Sequence, residues 1–259
     1  MLMSGLKDIH KLGKLLLDVG LIECTVVAGY QLSYPEQRIM ELRPEECMKL
    51  QEDGLYTCCI KNPKHERKML THGKADVEFI RDKVPMTKEE VREVSICKLK
   101  LYEGAVVYDI GSGTGSIAVE IAGLSDEVKV FAVEHKAEAV SLIAQNKEKF
   151  ELNNIEIVSG KAPDGLEELP VPTHAFIGGS GGRMKEILSA LYQKNSQMRV
   201  VINAISMETI CEMKEVLSTF SIQNEDVVQI QVSRAKRVGA YHMMQAENPV
   251  WICAFDFSG

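Results

Sequence analysis

Beyond residue 86 the chain alternates between two patterns of apolar positions. Short apolar runs bounded by glycine or polar residues read as strands, and stretches in which apolar residues return every three or four positions read as amphipathic helices. The first pattern predicts strands over 105–110, 128–133, 155–158, 175–177 and 199–202. The second predicts helices over 87–99, 116–122, 136–150, 183–191 and 207–220. Segments 227–232 and 250–255 complete the set as an antiparallel pair. Thr87 stands three residues ahead of Glu90 at the start of the first helix, the spacing of a capping box. Strand–helix alternation of this kind predicts an α/β, doubly wound, Rossmann-like fold. Its mostly parallel seven-stranded sheet would carry helices on both faces and a ligand at the carboxyl ends of the strands.

Ahead of residue 63 the pattern changes. Helices are predicted over 12–19 and 44–50 and strands over 24–28 and 56–60, an αβαβ piece small for an independent domain. The polar stretch Lys61-Asn62-Pro63-Lys64-His65-Glu66-Arg67-Lys68 marks the boundary. The expected organisation is a partial α/β fragment over 1–62, a linker over 63–83 and a complete domain over 84–259.

Composition narrows the class. A net charge of -7 and a pI near 5.5 oppose a general nucleic-acid binder, which carries a basic footprint. No apolar run approaches a membrane span, and the first residues lack the form of a signal peptide. The seven cysteines are scattered with no C-x-x-C pair, which suits thiols in a reducing cytoplasm. The histidines have no metal spacing, so no metal is expected.

The most informative chemistry is the run Val106-Val107-Tyr108-Asp109-Ile110-Gly111-Ser112-Gly113-Thr114-Gly115, a strand that ends on an acid and breaks into a glycine turn before a helix. Glycines let the backbone lie flush against a ligand, and the helix start presents free N–H groups. The G-x-G-x-G spacing is tighter than the dinucleotide fingerprint. An aspartate at the strand end suits a ligand with an ammonium group, so Asp109, Gly111, Ser112, Gly113, Thr114 and Gly115 point to S-adenosylmethionine (SAM). Glu134 ends the next strand about 20 residues further on, where an acid accepts ribose hydroxyls. After the third strand, Ala162 would add backbone contact and packing beside the adenine, and Lys161 stands where an acid often accepts from its amino group. The fourth strand leads into Gly178-Gly179-Ser180-Gly181-Gly182-Arg183, a backbone cradle without the acid, prolines and aromatic of amino-methylases. Gly179, Ser180, Gly181 and Arg183 would hold a carboxylate or a bulky flat substrate. In the segment 233–244, Arg234, Lys236 and Arg237 suit a polycarboxylate, with Tyr241, His242, Met243 and Met244 beside them for a flat conjugated ring.

Together these blocks resemble one family, the decarboxylating cobalt-precorrin-6B carbon-15 methyltransferases of cobalamin biosynthesis. The resemblance rests on Pro85–Arg92, the Asp109–Gly115 turn, Glu134, Gly160-Lys161-Ala162-Pro163, the Gly178–Gly182 loop, Asn203-Ala204-Ile205 with Glu208-Thr209, and the segment ending Asn248-Pro249-Val250. It implies a class I SAM methyltransferase fold, with SAM contacts at Thr87, Gly111 to Gly115, Glu134 and Ala162. It also implies a precorrin substrate, methylation at carbon-15 with decarboxylation of the carbon-12 acetate, a cytoplasmic setting, and a homo-oligomer, a tetramer in that family. Lys161 departs from the family, which often has Asp there. Residues 27–39 are similar to the end of the carbon-5 precorrin methyltransferase. Only about the final third of that domain is represented, so a carbon-5 enzyme is an expected partner rather than an activity of this chain. No residue stands out as the proton donor for decarboxylation. The alternatives are a tRNA (adenine) or protein methyltransferase on the same fold, or a non-catalytic partner of a carbon-5 enzyme.

Overall fold

A computed structural model describes residues 2–63 and 72–259. The chain divides into two compact units, Met1–Lys68 and Met69–Gly259. In the first, β1 (Leu2–Ser4), α1 (Leu6–Asp18), β2 (Thr25–Tyr30), β3 (Arg38–Leu42), α2 (Pro44–Cys47) and β4 (Tyr56–Lys61) form an antiparallel sheet of order β1-β4-β2-β3. Ile9, Leu12 and Leu16 of α1 lie three or four residues apart and pack on Val26, Ala28, Tyr56 and Cys58. The helix starts six residues earlier than the expected 12, and β3 is an element the apolar pattern missed. Its side chains are exposed or half-buried, so no apolar run marks it.

The second unit runs α3 (Glu89–Leu99), β5 (Val106–Ile110), α4 (Ser116–Ala122), β6 (Lys129–Glu134), α5 (Ala137–Lys149), β7 (Ile155–Ser159), β8 (His174–Ile177), α6 (Met184–Lys194), β9 (Arg199–Ala204) and α7 (Met207–Leu217). Then follow β10 (Ile222–Ile230), β11 (Ser233–Val238), β12 (Tyr241–Ala246) and β13 (Val250–Phe257). The seven-stranded sheet has the order β10-β13-β9-β8-β5-β6-β7; β5 to β9 are parallel, and β13 pairs antiparallel with both β9 and β10. This is the expected doubly wound α/β class. Side chains alternate between the faces, as a period of two requires. Val107, Val130, Phe176 and Ile252 meet α3, α4 and α5 on one face, and Tyr108, Phe131, Ile177 and Phe255 meet α6 and α7 on the other. The chain leaves β5 toward β6 and later returns beside β5 at β8, so the carboxyl ends of β5 and β8 flank the switch point where open α/β sheets bind ligands.

Two findings differ from the sequence expectation. Of the expected linker 63–83, residues 64–71 lie outside the described residues, and residues 72–83 pack within the second unit, where Phe79 is a core side chain. Helix α4, expected to be amphipathic, is buried all round. The 72–79 segment explains this. Gly73 and Lys74 donate their amides to the Glu120 carboxylate at 3.1 and 2.7 Å, so the helix face that would meet water meets backbone. No helix among the described residues is long and apolar enough to cross a membrane.

Candidate functional site

The site is held together by two buried polar clamps beneath its rim. Arg92 of α3 is fully buried, with its guanidinium over the Phe79 ring at 4.7 Å. It donates to Glu120 Oε1 at 3.1 Å, to Asp76 Oδ1 at 3.3 Å, to the Thr87 carbonyl at 2.8 Å and to the Lys74 carbonyl. Asn146 of α5, also fully buried, exchanges two hydrogen bonds of 2.8 Å with the Ile80 backbone and donates a third of 2.8 Å to the Thr114 carbonyl. A buried charge or amide is tolerable only when its hydrogen bonds are satisfied, and here that satisfaction fixes the path of residues 73–88. The expected capping box gives way to the same arrangement. Helix α3 begins at Glu89 rather than behind Thr87, and the Glu89 amide is capped by Asp76 Oδ1 at 3.0 Å, a residue thirteen positions upstream.

Above these clamps a cavity of about 720 Å³ opens at the carboxyl ends of the parallel strands. Its lining includes Thr87 and its neighbours 84–88, the turn Gly111-Ser112-Gly113, Glu134, Ala162 and the loop 178–181. Gly111 adopts φ 72°, and a Cβ there would lie 2.7 Å from the Gly179 carbonyl oxygen. Both the conformation and the approach of the two glycine loops exclude a side chain. Glu134 is 6% exposed. Its Oε1 accepts the His135 and Lys136 amides at 2.8 and 3.0 Å, and its Oε2 accepts the Gly113 amide at 3.0 Å. The carboxylate is therefore fixed in direction, with Oε2 the less occupied acceptor.

Of the nine residues expected to contact SAM, Thr87, Gly111, Ser112, Gly113, Glu134 and Ala162 line this cavity, and Asp109, Thr114 and Gly115 do not. Asp109 is fully buried and accepts from Ser112 Oγ at 2.6 Å, with Oδ1 unpartnered. Burial pushes its carboxyl up to about 7 against the Ser112 hydrogen bond. It braces the turn from behind instead of facing an ammonium group, because the strand end that carries it lies under the glycine loop.

The expected acceptor residues also divide. Gly179, Ser180 and Gly181 line the cavity, whereas Arg183, Arg234, Lys236 and Arg237 do not. Arg183 makes a two-pronged pair with Asp164 at 3.0 and 3.1 Å. Arg234 is taken by Glu90 and by Glu247, the latter at 3.3 Å. Lys236 and Arg237 are exposed on the β11–β12 hairpin, a separate two-stranded sheet. The sequence read 233–244 as one cluster, but alternation along β11 puts Arg234 and Lys236 on one face and Arg237 on the other.

Sequence reasoning passed over Arg92, Glu120 and Asn146. Their signal was a polar residue on an apolar stripe: Asn146 stands three and four places beyond Ile143 and Leu142, both buried. It also passed over a second cavity of about 450 Å³ that shares the loop 178–181, Asn203 and Ile205 with the first and is lined by Glu208 and Glu212. Among the described residues no group of three or more His, Cys, Asp or Glu could hold a metal ion.

Comparison with known proteins shows the family. The family model described as the precorrin methyltransferase domain matches residues 78–255. A curated relative from Sulfurisphaera tokodaii, named "Probable cobalt-precorrin-6B C(15)-methyltransferase (decarboxylating)", is 39% identical over 184 residues, 70% of this chain and 95% of its own length. The crystal structure of a precorrin-6y C5,15-methyltransferase from Geobacter metallireducens superposes with a TM-score of 0.68 at 35% identity, covering 72% of this chain and 97% of that one. A precorrin 8w decarboxylase from Methanobacterium thermoautotrophicum gives a TM-score of 0.63 at 30% identity over 73% of this chain and 99% of that one.

Proposed function

Since the chain belongs to the precorrin methyltransferase domain family, we propose that its second unit methylates a precorrin, with or without cobalt, at carbon-15 and decarboxylates the carbon-12 acetate in cobalamin biosynthesis. The observation that carries this reading is one cavity of about 720 Å³ at the strand ends, lined together by the Gly111–Gly113 turn, by Glu134 and by the loop 178–181.

The residues fit SAM. The Gly111 turn packs directly against the Gly179 backbone, Gly111, Ser112 and Gly113 line the cavity, and Glu134 turns a fixed acceptor toward it for a ribose hydroxyl. Thr87, its carbonyl held by Arg92, closes this donor wall, and Ala162 packs beside the adenine. SAM supplies an electrophilic methyl group when bound. The protein's own contribution is positioning, which holds the acceptor carbon in line with that methyl. The acceptor wall is the Gly178–Gly182 loop with Ile205, a backbone surface suited to a flat macrocycle. As the carboxylate leaves as carbon dioxide, its electron pair passes to the conjugated ring of the substrate and a proton is taken up at the former acetate carbon.

Residues 1–62 are read as the terminal portion of a tetrapyrrole-methylase-like domain, and a carbon-5 methyltransferase as a partner. The name of the Geobacter relative, which couples the two positions, supports this. A homo-tetramer in the cytoplasm follows from the family resemblance. Self-association is supported by the β11–β12 hairpin, where Val238, Tyr241, Met243 and Met244 are each at least half exposed.

The test is incubation with SAM and precorrin-6B followed by mass analysis. Gain of one methyl with loss of carbon dioxide is expected. Methyl transfer to RNA and none to the precorrin would overturn the assignment.

A further inference from the structure

The loop 178–181 lines two cavities, of which only the larger also has lysines in its lining. On one side Glu208 and Glu212 line the smaller cavity. On the other, Lys161 lines the larger one, its Cε 3.5 Å from the position a Cβ on Gly181 would take. The amides of Ser180 and Gly181 donate to no acceptor among the described residues. The charged side chains around Lys161 are already committed. Lys88 pairs with Asp76 at 3.4 Å, His135 with Glu134 at 3.1 Å, Arg183 with Asp164 at 3.0 Å and Arg234 with Glu247 at 3.3 Å. Among the described residues Lys161 and Lys136 are the cationic residues lining the cavity for which no ion pair is found, and Lys136 stands on the donor wall, two residues beyond Glu134.

Resting on the proposed reading of this cavity, we propose that Lys161 is the acceptor's carboxylate anchor: its ammonium pairs with a carboxylate arm laid across the Ser180–Gly181 backbone. A carboxylate placed there gains the Lys161 charge, which also acts on the Asp164 carboxylate, and unpaired N–H donors, while Glu208 and Glu212 beyond the loop repel it. This role belongs to the cation the sequence left unassigned and not to Arg234, Lys236 or Arg237. The chemistry also restricts which arm is held. Pairing an ammonium with the departing carboxylate would stabilise the ground state and slow loss of carbon dioxide, so the arm at Lys161 is one that stays on the ring.

The probes are uroporphyrin, a tetrapyrrole with eight carboxylates, its octamethyl ester and SAM, each titrated against wild type, Lys161→Ala, Lys161→Arg and Lys161→Glu. Lys161 is exposed, so the variants fold, and an unchanged thermal unfolding midpoint reports it independently of ligand binding. Expected is a loss of uroporphyrin affinity of about tenfold in Lys161→Ala and more in Lys161→Glu, largely restored in Lys161→Arg. SAM affinity should stay within about twofold and the ester should be indifferent to the substitution. With precorrin-6B, Lys161→Ala should raise KM while kcat and the ratio of carbon dioxide to methyl stay unchanged. Uroporphyrin affinity equal in wild type, Lys161→Ala and Lys161→Glu overturns the proposal. So does a parallel loss of SAM affinity, which would assign Lys161 to the carboxylate of SAM. Wild-type protein that binds SAM but no tetrapyrrole overturns the functional reading itself, and the anchor with it.

Discussion

On the donor wall Glu134 accepts three backbone amides, and the rim above it is held by the buried Arg92–Glu120 pair and by Asn146. On the acceptor wall the cavity meets a glycine loop beside Lys161, which is exposed and makes no ion pair among the described residues. One wall holds its acceptor carboxylate in a fixed direction before any ligand arrives; the other leaves backbone donors for the ligand to satisfy. The difference suits the two substrates. A methyl donor with fixed geometry rewards preorganisation, and a large carboxylate-bearing ring is held by charge at its edges.

Breaking the donor wall should cost most. Glu120→Ala leaves the Arg92 guanidinium buried without its closest carboxylate and should lower stability by about 3–5 kcal/mol, read by chemical denaturation. Next is the pH response of the turn's brace. The Asp109 carboxyl titrates at about 7 folded against a reference of 3.8. Between those values the folded protein keeps a proton that the unfolded chain has lost, so this group's contribution falls as pH rises from about 4 to 7. Asp109→Asn removes that dependence. Its ligand-free stability relative to wild type should therefore improve across the same window, by on the order of 3 kcal/mol. His174, pushed down to about 4 by burial, acts in the opposite sense, but it is common to both proteins and cancels in the comparison.

Glu134→Gln tests the donor wall as a binding surface. Loss of a charged acceptor for a ribose hydroxyl should weaken SAM about 10- to 100-fold in calorimetry, about 1.5–3 kcal/mol, with uroporphyrin affinity unchanged. The smallest effect sharpens the acceptor side. Arg234→Ala with Arg237→Ala should alter uroporphyrin affinity less than about threefold, because both side chains are exposed, Arg234 is already paired and neither lines the cavity. A tenfold loss in that double variant would return the acceptor's carboxylates to the hairpin.

Legibility in the sequence followed locality. The parallel strands and their helices could be read because each is buried by an apolar pattern within one segment. The Gly111 turn and Glu134 could be read because chain spacing alone brings them to adjacent strand ends. The Asp76 cap on α3, the burial of α4 under Gly73 and Lys74, and the Asn146 clamp could not, because each partner lies 13 to 66 residues away. The place of the hairpin cations outside the cavity lining was illegible for the same reason. A run of basic residues carries no record of the strand pairing that turns them from the cavity or of Glu90, 144 residues distant, which holds Arg234.

The central claim is one cavity with a donor wall at Glu134 and an acceptor wall at the 178–182 loop. A crystal structure with S-adenosylhomocysteine tests it most directly. Ribose hydroxyls should lie on Glu134 Oε2, adenine beside Ala162 and the sulfur facing Gly179–Gly181. A nucleoside bound away from Glu134, or a sulfur turned from that loop, would contradict it.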